Sequence, residues 1–208
     1  MDKKLKSRFA VFASGHGSNL QVIIEAVKAG EIDAELALVF SNNRKARALK
    51  RATDAGIQTL CLVRKDYATP QSYDRAIVNE LKKESIDFIA LAGYMKILTA
   101  YFTKEYKNRI INVHPSLLPS FKGKQGIKDA FTYGAKITGV TIHFVNEKMD
   151  AGPIILQESF KIQERDTLET LTEKVHAVEH KIFPKALALY AAGRLKVVGR
   201  KVIIMPKA

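Results

Sequence analysis

An amide and an imidazole stand two residues apart in "NRIINVHPSLLPS", residues 108–120. Asn112 can donate two amide hydrogens, and His114 can supply a proton or a positive charge near neutral pH. The apolar residues before them read as a buried strand. Its alternation sends Asn112 and His114 to one side and Val113 to the other. The prolines at 115 and 119 then restrict the outgoing loop. Downstream, Asp150 sits in "NEKMDAGPI", on a loop flanked by Gly and Pro, where it can pair with His114. Asn, His and Asp without an evident Ser or Cys nucleophile suggest acyl transfer to an external amine. The enzyme would then offer donors for a tetrahedral oxyanion and form no covalent intermediate.

A second candidate is "FASGHGSNL", residues 12–20, where a strand should turn into a helix. Glycines let the backbone approach a ligand closely, and amides at a helix N-terminus attract phosphate. Gly15, Gly17, Ser18 and Asn19 therefore make a candidate phosphate cradle. A dinucleotide fingerprint would need a third glycine where Leu20 stands, and an acid after the second strand. That strand runs into Ser41, Asn42, Asn43 and Arg44 instead, so NAD is disfavoured. A third pattern, "HAVEH" at residues 176–180, fits H-x-x-E-H and puts His176 and His180 on one helix face. A zinc site needs a further ligand, commonly a downstream acid, and no Asp or Glu follows Glu179. No metal is expected. His16 reads as a loop residue, His143 as a core histidine and Cys61 as a small core residue.

The elements that must position these residues follow from periodicity. "RFAVFAS", "AELALVFS", "IQTLCLV" and "IDFIALAG" each read as a strand buried on both faces. "RIINVH" reads as a fifth. Between them lie helical patterns at residues 18–28, 45–55 and 72–83, the second ending at Gly56. This alternation predicts βαβ units, a mostly parallel sheet and helices on both faces, a Rossmann-like α/β fold in one domain. After residue 136, "ITGVTIHFV" and "GPIILQESF" have no helix between them, so an antiparallel part is expected. Asp166 precedes a long helix that Pro184 should kink or break, and "LKVVGRKVIIM" reads as a terminal hairpin.

Composition limits the alternatives. The chain has 208 residues with 47% hydrophobic and 26% charged, the balance of a globular domain. No apolar run approaches the length that spans a bilayer, and the basic start leads into too short an apolar stretch for a signal peptide. A single cysteine allows no internal disulfide and fits a reducing cytoplasm. The net charge of +13 is spread along the chain without a basic run or interleaved aromatics. That pattern argues against nucleic acid and for a basic surface that attracts small anions.

The stretches "GHGSNLQVII", "FSNNRKARALKRATDAGI", "LAGYMKIL", "RIINVHPSLLPSFKG" and "GVTIHFVNEKMDAGPIILQ" together resemble the folate-dependent formyltransferases, in order over nearly the whole chain. Within that group they are most similar to the phosphoribosylglycinamide formyltransferases. The resemblance implies a phosphate-binding half at residues 1–105 and a catalytic, folate-binding half at residues 106–208. It implies that Asn112, His114 and Asp150 are catalytic, with Asp150 favouring the charged imidazole. Gly17, Ser18 and Asn19 would hold the phosphate of glycinamide ribonucleotide, and Glu179 its glycinamide or ribose end. The co-substrate would be 10-formyltetrahydrofolate, against Met95, Lys96, Ile97 and Leu98, with Asn112 and the loop bearing Asn146, Glu147 and Asp150 closing on it. A monomer or homodimer is implied. Formyltetrahydrofolate deformylases resemble this core but carry an extra N-terminal domain, whereas only a few residues precede the first strand here. Methionyl-tRNA formyltransferases add a C-terminal domain. A non-catalytic folate or nucleotide-sugar module is a different class, and the Asn112, His114 and Asp150 set argues against it.

Two positions depart from the family pattern. Lys96 stands where members often carry Arg. Pro70 stands where an Arg often meets the folate glutamate tail, a contact that Arg64 or Lys65 would have to replace.

Overall fold

Strand and helix signals that alternate in the first half become a parallel sheet wrapped on both faces. The structure, a computed structural model, describes residues 6–207, so the basic start at residues 1–5 lies outside the described residues. Strands β1 (Ser7–Phe12), β2 (Ala34–Ser41), β3 (Gln58–Cys61), β4 (Phe88–Leu91) and β5 (Ile110–His114) run parallel. Strands β6 (Ile137–Phe144) and β7 (Ile154–Lys161) continue the sheet antiparallel, as the missing helix between them foretold. The expected terminal hairpin, β8 (Leu195–Val198) and β9 (Lys201–Ile204), joins it through a parallel contact of β9 with β7. The order is β3-β2-β1-β4-β5-β6-β7-β9-β8, with the reversal of direction falling between β1 and β4.

Side-chain alternation in β1 divides the core. Phe9 and Val11 enter a layer with helices α1 (Ser18–Lys28), α2 (Arg47–Asp54) and α6 (Leu168–Ala191). Ala10 and Phe12 enter another with α3 (Pro70–Lys83) and α4 (Ala100–Glu105). Two buried faces explain the near-continuous apolar strands. Strand β3 is the exception. It lies at the sheet edge with Gln58 and Thr59 exposed, so the expectation of burial on both faces fails there.

The helix boundaries depart from the sequence reading where local chemistry is specific. Helix α3 starts at Pro70, two residues earlier than expected, because proline suits the first helical position and Thr69 and Ser72 form a capping box. Two short helices, α4 and α5 (Gly126–Tyr133), lack a long apolar stripe and were not foreseen. Helix α6 runs without a break through Pro184 to Ala191, so the proline does not end it. Pro184 cannot donate to the carbonyl of the preceding turn. Its neighbours Phe183, Ala186 and Leu187 are fully buried in the core, and that packing holds the helix across it. Among the described residues, no helix is long and apolar enough to cross a membrane.

The link from β6 to β7 is the part of the fold nearest the chemistry. Phe144 N–H donates to the Pro153 carbonyl at 2.8 Å, which folds the loop tightly back on its own strand. A Cβ on Gly152 would collide with the Phe144 carbonyl backbone. The glycine is therefore a packing requirement. Gly152→Ala should destabilise the protein by about 2 kcal/mol, the scale of overpacking, and lower the melting midpoint by roughly 5 °C. An unchanged midpoint by calorimetry would show that the loop accommodates the methyl group.

Candidate active site

Open α/β sheets bind ligands at the carboxyl ends of strands, where the strand order reverses. Here the loops after β1 and β4 meet at that place. Ser14 N–H donates to the Gly93 carbonyl at 3.1 Å, and Met95 N–H donates to Ser14 Oγ at 2.8 Å. Ser14 Oγ in turn donates to Asn42 Oδ1 at 2.6 Å, tying in the loop after β2. The crevice that opens beside them is lined by Leu91, Tyr94, Leu98, Asn112, His114 and Asp150 among others.

Register creates the polar cluster. Asn112 of β5 pairs with His143 of β6, which places both side chains on one face of the sheet. His114 follows on the same face as Asn112, as its spacing predicted. Asn112 Nδ2 lies 3.1 Å from His143 Nε2, and His143 Nδ1–H donates to the Phe144 carbonyl at 2.8 Å. His114 Nε2–H donates to the Phe121 carbonyl at 2.9 Å, while its Nδ1 lies 3.6 Å from Asp150 Oδ2. Asp150 Oδ1 is 3.8 Å from His143 Nε2. Asp150 Oδ2 also accepts the Gly123 N–H at 2.8 Å, and its backbone is left-handed at φ 47°. His114 is 3% exposed and His143 1%, so this is a buried polar cluster. Burial pushes the His143 imidazole below its ordinary range, against the opposing pull of the Phe144 carbonyl and the Asp150 carboxylate.

His143 read as a core histidine, and the structure buries it as expected. What the sequence did not show is its contact with Asn112, with Asp150 Oδ1 lying 3.8 Å from the same ring nitrogen. Only the strand pairing reveals this. Phe121 and Gly123 were also missed, because they act through backbone atoms that carry no sequence signal.

The Gly-rich turn follows Ser14, whose bonds to Gly93 and Met95 bring it close to the crevice. Gly17 has φ 77° and precedes helix α1, whose first turn has neither a side-chain cap nor an acid. The leading amides of α1 are thus free of side-chain partners, the arrangement that attracts an anion. A Cβ on Gly17 would sit 2.9 Å from Ala48, so α2 packs against the turn at a distance only glycine allows. Helix α2 also brings cations. Arg51 Nε–H donates to the His16 carbonyl at 3.1 Å, and Arg47 lies 3.3 Å from the His16 ring. Asn19 Nδ2–H donates to Glu179 Oε2 at 2.9 Å, joining the turn to α6. Asn19 Oδ1 is buried without a partner. His176 Nδ1–H donates to the same Glu179 oxygen at 2.9 Å, and this bond pushes the imidazole up. The "HAVEH" acid is thereby engaged with Asn19 and His176. Among the described residues no group of three or more His, Cys, Asp or Glu could hold a metal.

Of the remaining candidates, Met95, Lys96, Ile97, Leu98, Asn146 and Glu147 all line the crevice. Leu98 is buried, whereas Met95, Ile97 and Met149 are more than half exposed at its rim. Exposed large apolar groups gathered at one opening mark a binding surface. Arg64 and Lys65 do not line the crevice; the Arg64 guanidinium donates to the Tyr67 carbonyl at 2.7 Å. Pro70 is committed to starting α3. The cations on the crevice wall are Lys96, Lys124 and Lys148.

Comparison with known proteins agrees with this geometry. Residues 7–187 match the family model described as formyl transferase. A phosphoribosylglycinamide formyltransferase of Bacillus subtilis is 40% identical over 86% of this chain and 92% of its own length. The trifunctional purine biosynthetic protein adenosine-3 of Homo sapiens is 43% identical over 93% of this chain, which spans only 19% of that relative. Among solved structures, glycinamide ribonucleotide transformylase 1 from Symbiobacterium toebii superposes with a TM-score of 0.95 at 38% identity, covering 98% of this chain and 96% of that one. A formyltetrahydrofolate deformylase from Pseudomonas syringae has a TM-score of 0.89 at 27% identity, covering 98% of this chain and 67% of that one.

The cluster's electrostatics can be read without substrate. His143 should titrate below pH 6.5, since burial opposes its charged form. Asp150 opposes that shift, so Asp150→Asn should move the His143 titration further down. NMR of the ring protons measures both; an upward movement would contradict the placement of Asp150.

Proposed function

The chain belongs to the formyl transferase family, among the phosphoribosylglycinamide formyltransferases, and from that premise we propose how it works. It transfers the formyl group of 10-formyltetrahydrofolate to the amine of N1-(5-phosphoribosyl)glycinamide, a step of cytoplasmic purine biosynthesis. The observation that carries this reading is the convergence of Asn112, His114 and Asp150 on one largely apolar crevice beside an uncapped helix N-terminus.

In this reading the ribonucleotide phosphate rests on Gly17, Ser18 and Asn19, with Arg47 and Arg51 adding positive potential. Asn19 Oδ1, a buried acceptor with no partner, receives a hydroxyl or amine of the same substrate. Glu179 holds that end through its carboxylate. The folate lies against Met95, Lys96, Ile97 and Leu98, covered by the loop with Asn146, Glu147 and Asp150. The three crevice lysines offer charge to its glutamate tail in place of an arginine.

The amine lone pair attacks the formyl carbon, and the carbonyl π pair moves onto oxygen. An N–H of Asn112 and the Nδ1–H of His114 stabilise that oxyanion. The 3.6 Å gap between His114 and Asp150 matters here, because it is too long to consume the Nδ1–H. Phe121 holds the opposite nitrogen, so the ring cannot turn away. The new ammonium loses its proton toward Asp150, and the oxyanion pair returns to rebuild the carbonyl. The bond from carbon to the folate nitrogen breaks with its electrons going to nitrogen, and that nitrogen takes up the proton that Asp150 received.

Steady-state assays with both substrates test this. Asp150→Asn should reduce kcat by about three orders of magnitude and Asn112→Ala by about two, with modest changes in KM. Near-full turnover of either variant would remove that residue from the mechanism. Asn19→Ala should raise KM for the ribonucleotide about tenfold and spare the folate. Equal effects on both would count against the cradle. Breakdown of formylfolate should be slow until the ribonucleotide is added; brisk hydrolysis without it would favour the deformylase reading.

A further inference from the structure

We propose that His143 is a positioning residue for formyl transfer: as the neutral Nδ1–H tautomer it fixes which edge of the Asn112 amide faces the formyl oxygen. The proposal rests on the reading of Asn112 as an oxyanion donor.

The tautomer follows from hydrogen-bond bookkeeping. A carbonyl oxygen only accepts, so the 2.8 Å contact between His143 Nδ1 and the Phe144 carbonyl requires a proton on Nδ1. In a neutral ring Nε2 then carries the lone pair. That nitrogen lies 3.1 Å from Asn112 Nδ2, and it accepts one of the two amide hydrogens. An amide is planar, so holding one N–H fixes the direction of the other. The second N–H is the one left for the oxyanion.

A proton on Nε2 would reverse this. Two donors would face each other, and the amide would turn over to present Oδ1 to the ring. An oxygen lone pair would then point where the second N–H had pointed, toward an oxyanion it repels. The chemistry therefore depends on His143 staying neutral. Burial provides for that, with Asp150 and His114 the titratable groups that face the ring. A histidine disfavoured as a cation in the folded state keeps its neutral form to lower pH than a free imidazole, and gains its proton only further toward acid. The amide orientation holds through neutrality and fails on the acid side.

Imidazole nitrogen NMR reads the tautomer directly, without substrate. Near pH 7 the expected signature is a protonated Nδ1 and a bare Nε2; a protonated Nε2 would overturn the proposal. Kinetics supplies a separate reading. His143→Leu should lower kcat about 100-fold, the scale of a misplaced catalytic group, with little change in KM for the folate. His143→Gln, whose side-chain oxygen can accept from Asn112, should recover part of that loss and serves if the leucine variant does not fold. In an Asn112→Ala background the same substitutions should cost little more, because the group being positioned is gone. Fully additive losses would overturn the proposal. If the unaltered protein shows no formyl transfer, the functional reading falls, while the tautomer still decides whether His143 orients the amide.

Discussion

The antiparallel register of β5 against β6 is the constraint on which the rest of the site depends. Asn112 opposite His143 puts an amide against an imidazole, with His114 on the same face two residues further. Strand side chains alternate, so a slip of β5 by one residue would carry Asn112 and His114 toward the opposite layer of the core and leave His143 without its partner. That layer, formed with α1 and α6, is filled by Ile111, Val113, Ile142 and Phe144. A slip would bury polar groups among hydrocarbon and expose the apolar ones. The same hydrophobic pattern that stabilises the sheet therefore specifies the polar cluster.

Around that register the loops are held by bonds that reach across the chain. Phe121 and Gly123 on the loop after β5 receive His114 and supply an N–H to Asp150. Thr141 of β6 donates to the Ser116 carbonyl at 2.7 Å and accepts the Leu118 N–H at 3.0 Å, which fastens the start of that loop to the sheet. The C-terminal hairpin contributes from the other side, where the Arg200 guanidinium donates to the Ala151 carbonyl at 3.1 Å. Asp150 is thus held between two loops and two strands in a left-handed backbone conformation that aspartate tolerates better than most residues. Rigid support of this kind lets charge be stabilised without reorganisation during reaction.

Much of this was legible in the sequence. Apolar runs located the strands, and period gave α1 from Ser18 to Lys28. The pairing of Asp150 with His114 could be anticipated because both lie next to Gly or Pro punctuation at strand ends. His143 could not. Its strand reads as buried, and burial is what it shows; its role comes from a partner 31 positions away that only sheet pairing identifies. Backbone acceptors such as the Phe121 carbonyl are invisible for a related reason, since any residue offers one. Pro184 misled because proline's local cost was weighed without the apolar packing around it.

The bond from Asn19 to Glu179 joins residues 160 positions apart, and it has a bearing on how the protein is made. Contacts between such distant residues form late, because the chain must first lose the entropy of closing a long loop. During synthesis α6 leaves the ribosome after strands β1 to β7, so the glycine turn before α1 must wait for its acidic partner. A chain halted before α6 would have its glycine turn, its parallel strands and even Asp150, yet Asn19 would lack its Glu179 partner. The Asn19–Glu179 bond thus forms only once α1 and α6 have docked, and it ties an early-made turn to a late-made helix.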